Sequence, residues 1–214
     1  MHQREKNIAF KLLQIKAIKL ESTSYFRWAS GWYSPIYCDN RKILSYPEVR
    51  MTVKEAFCER IKSAYPSVEL IAGVATGAIA HGVLVADTLG LPFVYVRSSA
   101  KEHGLGNRIE GEAGRGSRVV VIEDLISTGK SSINAVEALR DCGCEVLGLA
   151  AVFSYNFDVA DQNFRKANCP YLTLTNYNHL IELALEKDML SHSEIKMLKE
   201  WQKDPANWKP KKDI

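Results

Sequence analysis

Long apolar runs are missing from this sequence. None approaches the roughly 20 residues that a helix needs to cross a bilayer, so a membrane-spanning protein is not expected. Charge of one sign is also scarce: 28 basic and 25 acidic side chains leave a net charge of only +3. A dedicated nucleic-acid binder usually carries a larger, clustered basic excess. The five cysteines (Cys38, Cys58, Cys142, Cys144 and Cys169) form no CxxC pair and have no histidine at zinc-ligand spacing. They read as reduced thiols, with Cys142 and Cys144 structural beside Gly143. The first residues, MHQREKNIAFKLLQIKAIKL, are charged and amphipathic and lack a small-residue cleavage site. They do not read as a signal peptide, and a cytoplasmic location is expected. Internal repeats and low-complexity tracts are absent as well.

What is present is the composition of a globular α/β protein. Stretches 69–75, 92–97, 118–124, 145–153 and 171–175 read as strands, and runs such as VVVI and VLGLAAVF are apolar at every position. Uninterrupted apolar strands are buried on both faces, as in a parallel sheet. Helical spacing falls between them. Ser45-Tyr-Pro-Glu48 has the form of a capping box ahead of Val49, Val53, Phe57 and Ile61. Residues 79–89 stop at Gly90 and residues 131–142 stop at Gly143, each glycine at an expected helix end. Strand–helix alternation with short connections implies an open, mostly parallel sheet flanked by helices.

Residues 1–45, with the aromatic-rich YFRWASGWYSPIYCDNR, fall outside that pattern and read as a small N-terminal hood packed on a core of residues 46–214. Trp28, Trp32, Tyr33 and Tyr37 read as packing of that hood. Residues 98–117 hold five glycines, alternating charge and little apolar character, the profile of a mobile lid or binding loop. The Lys-rich tail from Lys203 reads as frayed and solvated. His81, His179 and His192 read as capping or surface residues.

The informative stretch is VVVIEDLISTGKSS, residues 119–132. Gly129-Lys130-Ser131 matches the end of a P-loop, but the first glycine of that motif would fall on Asp124, a carboxylate that would repel phosphates. The stretch divides instead into two halves. Ser127, Thr128, Gly129, Lys130 and Ser131 wrap toward a helix N-terminus, where free N–H groups and hydroxyls suit one phosphate monoester. Glu123 and Asp124, at a strand's carboxyl end, are acceptors suited to vicinal hydroxyls. A ribose 5-phosphate uses both halves.

This stretch resembles the phosphoribosyl-pyrophosphate (PRPP) motif of the type I phosphoribosyltransferases. FRWASGWYSPIYCDNR and RSSAKEHGLGNRIEGE resemble the N-terminal and loop segments of the orotate phosphoribosyltransferase family. The resemblance implies that Glu123 and Asp124 hold the ribose hydroxyls and that Leu125, Ile126, Ser127, Thr128, Gly129, Lys130 and Ser131 hold the 5-phosphate. Ser127 would also face the base. Arg97, Lys101 and His103 would meet the pyrophosphate and carry the catalytic roles. Mg²⁺ would ride mainly on PRPP, with no dedicated side-chain site. A homodimer would share loop 98–117 across its interface. Many members carry a lysine where this sequence has Ala29, and another near Gly77. Arg41 and Arg27 are then the nearest cations for the orotate carboxylate. The rival readings are transfer to another base, which the segment from Phe26 to Arg41 disfavours, and a non-catalytic PRPP-sensing regulator, for which no winged helix or basic face is visible.

Overall fold

A computed structural model describes residues 2–21, 25–28, 30–99 and 108–210. In chain order the elements are α1 (His2–Gln14), β1 (Ile18–Leu20), β2 (Phe26–Arg27), β3 (Tyr33–Ser34), β4 (Ile36–Cys38), a 3-10 turn (Asn40–Ser45), α2 (Pro47–Ala64), β5 (Leu70–Val74), α3 (Ile79–Leu89) and β6 (Phe93–Val96). They continue with β7 (Ile109–Glu110), β8 (Arg118–Ile126), α4 (Lys130–Asp141), β9 (Glu145–Ser154), α5 (Asp158–Lys166), β10 (Tyr171–Asn176), α6 (Tyr177–Glu186) and α7 (His192–Lys203).

Six strands make the main sheet in the order β10-β9-β8-β5-β6-β7, parallel except for β7. The all-apolar runs explain its middle: every residue of β5 is buried, as are Val119 to Glu123 of β8 and the last seven residues of β9. Helices on both faces complete that burial. From β5 the chain steps to one side, to β6. From β8 it steps to the other side, to β9 and β10. The order therefore reverses between β5 and β8, and in open parallel sheets ligands bind in the crevice beyond the strand ends at such a point.

Three expectations need correction. The helix expected after Ser45 forms, but the capping box does not. Ser45 ends the 3-10 turn and Tyr46 is the N-cap, without a side-chain cap bond. A residue before proline is driven to extended backbone, and Tyr46, with ψ 93°, takes the cap position ahead of Pro47. The segment 98–117 is not a loop throughout. Ile109–Glu110 pairs antiparallel with β6, and Arg97 N–H donates to the Arg108 carbonyl at 2.8 Å, so the described residues at its two ends are joined by a short antiparallel pair. The residues after Lys203 are not simply frayed: Trp208 packs edge-to-face on Tyr25, with centroids 5.1 Å apart. Here apolar ring area outweighs the charge around it.

Residues 1–45 meet the core through two surfaces. Ile8, Ala9 and Leu12 of α1 are buried in the main core. The short strands pair only with one another, β1 with β4 and β2 with β3. Trp28 lies over Tyr155 (4.9 Å) and against Trp201 (5.7 Å), and Trp201 Nε1 donates to the Tyr33 carbonyl at 3.0 Å. Trp28 and Trp32 thus pack as expected. Tyr37, though 40% exposed, packs on Phe26 with centroids 5.4 Å apart, whereas Tyr33 is 43% exposed, because strands this short turn alternate side chains outward. All five cysteines are free thiols, Cys142 exposed and the others buried.

Candidate active site

The crevice at the reversal point is bounded by the ends of β5 and β8. The backbone after β5 turns at Ala75–Gly77, through a cis peptide between Ala75 and Thr76, and comes against Asp124. A Cβ built on Gly77 would stand 2.2 Å from Asp124 Oδ2. That approach leaves no room for a side chain at 77 while Asp124 keeps this orientation, and it accounts physically for glycine at this position.

Glu123 and Asp124 are neighbours in sequence with different surroundings. Glu123 is only 4% exposed. Its Oε2 accepts from Ser132 Oγ at 2.9 Å, and its Oε1 accepts the Asp124 N–H at 3.0 Å. Burial first, and then the adjacent Asp124 charge, push the Glu123 carboxyl well above the usual carboxylate range. Asp124 is half-buried, and its carbonyl oxygen accepts from Asn40 Nδ2 at 2.6 Å. Of the acidic pair, Asp124 is therefore the acceptor that a ligand in the crevice can reach. Glu123 has both oxygens engaged beneath it.

The loop that follows is braced from outside. Gly129 has φ +76° and caps α4 without a side-chain bond. A Cβ there would meet Phe164 of α5 at 2.8 Å. Asn163 Nδ2, also on α5, donates to the Thr128 carbonyl at 3.0 Å. Ile126 is buried, Leu125, Ser127 and Thr128 are half-buried, and Lys130 and Ser131 are exposed. The first N–H groups of α4 have no helical carbonyl behind them, so this brace presents an N-terminal anion cradle beside Asp124.

The other candidate residues are placed unevenly. Arg41 is exposed and pairs with Asp39 at 2.7 Å; Asp124 lies near enough to act on its charge. The same guanidinium holds the Asp39 carboxyl below its ordinary value. Arg27 is exposed on β2. Arg97 closes the stem of β6 and β7, 3.5 Å from Glu110. Lys101, His103 and Ala29 lie outside the described residues. Among the described residues, no cluster of three or more His, Cys, Asp or Glu is set to hold a metal ion. A cavity of about 620 Å³ floored by Ile8, Ala56, Leu172 and Leu174 lies between α1, α2 and β10, on a helix-covered face, and no residue of the motif lines it.

His81 requires a correction. It lies on α3 but is 3% exposed, neither capping nor at the surface. Burial lowers its pKa, with Asp124 and the Asn40 main chain close enough to act on it in the opposite sense, and its Nε2 is buried without a hydrogen-bond partner among the described residues. His179 is half-buried, 3.5 Å from Glu5, and His192 opens α7 behind the Ser191 cap. Asn40 and Ser132 carry contacts to the acidic pair that the sequence did not single out. Ser132 directly follows the STGKS loop, and Asn40 sits within CDNR; adjacency to each motif was the available signal.

Comparison with known proteins fits this geometry. The phosphoribosyl transferase domain family matches residues 39–185. An orotate phosphoribosyltransferase of Porphyromonas gingivalis is 57% identical over 95% of this chain and 97% of its own length. That of Bacteroides fragilis is 55% identical over 97% of this chain and 98% of its own. The chain belongs to the orotate phosphoribosyltransferase family. Among solved structures, the orotate phosphoribosyltransferase of Aeropyrum pernix covers 86% of this chain and 99% of its own, with a TM-score of 0.75 at 23% identity. Leishmania donovani UMP synthase matches 92% of this chain with 42% of its own, also at a TM-score of 0.75. At that identity the likeness speaks to the fold, and it is the orotate phosphoribosyltransferase family's sheet that carries Glu123 and Asp124 to the reversal point.

Proposed function

We infer that this chain transfers the 5-phosphoribosyl group from PRPP to orotate, releasing pyrophosphate and forming orotidine 5′-monophosphate in pyrimidine (UMP) biosynthesis. The observation that carries this reading is identity above one half, along nearly the full chain, with orotate phosphoribosyltransferases. The acidic pair at the strand reversal supports it.

In this reading the residues divide the work. The loop from Leu125 to Ser131 receives the 5-phosphate on its N–H groups and hydroxyls. Asp124 accepts the ribose hydroxyls, and Glu123 holds Asp124 from below. The C–N bond to the base forms as the C–O bond to pyrophosphate breaks, so positive charge grows on the sugar and negative charge on the leaving group. Arg97, Lys101 and His103 stand with the leaving group, and Ser127, Arg41 and Arg27 with the base. Magnesium fits this donor set as a passenger. A single half-buried carboxylate is a poor cage for it, whereas phosphate oxygens and water suit a hard cation that keeps its octahedron. When bound on PRPP it would neutralise pyrophosphate charge. Residues 1–45 serve as the hood over the base, the protein works in the cytoplasm, and a homodimer shares loop 98–117 between its two sites.

Loss of orotate absorbance in the presence of PRPP and Mg²⁺, run beside adenine, hypoxanthine and uracil, tests the reaction. Turnover with orotate alone is expected, and turnover of a purine with none of orotate would refute it. The shared loop has its own test. Lys101→Ala and Asp124→Asn subunits, each inactive alone, should regain activity on mixing. Failure to complement after demonstrated subunit exchange would confine the loop to its own subunit.

A further inference from the structure

The hydrogen bonds around the acidic pair form one continuous chain through three parts of the site. At one end Ser132, in the first turn of α4 and fully buried, donates Oγ–H to Glu123 Oε2 at 2.9 Å. Glu123 Oε1 takes the Asp124 N–H at 3.0 Å. The Asp124 carbonyl takes Asn40 Nδ2 at 2.6 Å, and Asn40 Oδ1 in turn accepts the Cys38 thiol at 3.4 Å. Ser132, Glu123, Asn40 and Cys38 are all buried. Residues 38 and 40 come from the hood, 123 and 124 from β8, and 132 from the helix that ends the phosphate loop.

Two features set this chain apart from ordinary core packing. Three of its four links run through the acidic pair, and the Asp124 groups in them are its main-chain N–H and carbonyl. The groups that aim Asp124 are thus separate from the group it presents. In addition, low-dielectric burial makes each bond depend on its neighbours, since a lost partner leaves a polar atom unsatisfied where water cannot replace it.

We propose that Ser132 and Asn40 are positioning residues that register the phosphate-binding helix and the N-terminal hood against Asp124, acting through the Glu123 side chain and the Asp124 main chain. This rests on the reading above, in which α4 faces the 5-phosphate, Asp124 the ribose and the hood the base. It adds that the three subsites are coupled: a defect at the phosphate end reaches the base end, and the reverse.

A double-mutant cycle tests it with Ser132→Ala, Asn40→Ala and the combined variant. Kinetics for both substrates, PRPP Kd by calorimetry and thermal unfolding are measured for each. Each single change should lower kcat/KM for PRPP about tenfold, the loss of one hydrogen bond to a charged or buried partner. Ser132→Ala should also raise the KM for orotate, although Ser132 lies at the phosphate end. Asn40→Ala should weaken PRPP binding from the hood end. The combined variant should lose little more than the worse single one, because broken links in one chain are not additive. Additive losses of about a hundredfold, each confined to the nearer substrate, would overturn the proposal. The cycle in PRPP Kd needs no base, so it decides the coupling even if wild-type protein proved inactive on orotate, an outcome that would count against the assigned reaction instead. If Asn40→Ala unfolds, the orotate KM of Ser132→Ala decides: unchanged, it refutes the coupling.

Discussion

The carboxyl end of β8 and the N-terminal hood face the same crevice but are held by opposite means. From Glu123 to Ser132 the chain builds its site out of itself: a buried strand end, a left-handed glycine and a helix start follow one another in sequence. In the hood, strands of two or three residues pair only with each other, and ribbons of that size have no stability alone in water. The hood persists because Trp28 and Trp32 lie on Tyr155, Phe157 and Trp201, residues far along the chain. In the proposed reading, one half of the site is encoded locally and the other leans on the β9–α5 connection and on Trp201 of α7.

Trp201→Ala should separate the two halves most forcefully. Its ring is fully buried among Trp28, Tyr155, Phe157 and Tyr177. Truncating such a side chain costs about 3–5 kcal/mol, readable by urea unfolding. Where the variant remains folded, the KM for orotate should rise more than the KM for PRPP. Equal rises would mean that the β8 loop leans on the hood as heavily as the reverse.

Asp124→Asn strikes the other half. It keeps size but removes the charge offered to the ribose, whose charge-assisted hydrogen bonds are worth roughly 1.5–3 kcal/mol each. PRPP affinity should fall at least about tenfold, with little change in Tm. An unchanged Kd would reduce the acidic pair to a solvated strand end.

The smallest effects lie in pH dependence, and their signs oppose. Burial, followed by the Asp124 charge, raises the Glu123 pKa. The stability it contributes is complete below the unfolded value of 4.5 and is lost as pH climbs toward the folded value. Glu123→Gln should therefore gain on wild type in urea unfolding as pH rises. Burial lowers the His81 pKa from 6.5. Below pH 6.5 the unfolded chain takes a proton that the folded one refuses, so His81 costs stability on acidification. His81→Gln should flatten that acid limb. A wild-type curve superimposable on both variants would show that neither group is perturbed.

The sequence alone determined the parallel sheet, the helix ends at Gly90 and Gly143, and the loop that opens α4, because each rests on contacts between residues close in the chain or on burial visible as unbroken apolar runs. One departure has a local cause, Pro47 moving the cap from Ser45 to Tyr46, and one a distant cause, Ile109–Glu110 pairing with β6. Tertiary structure decided the rest. Nothing in the string EDLISTGKSS says that Glu123 turns inward to Ser132 while Asp124 stays open to the crevice, since both carboxylates look alike until the β5 turn, Asn40 and His81 are packed around them. Burial from distant segments, not residue type, gives two adjacent acids different jobs.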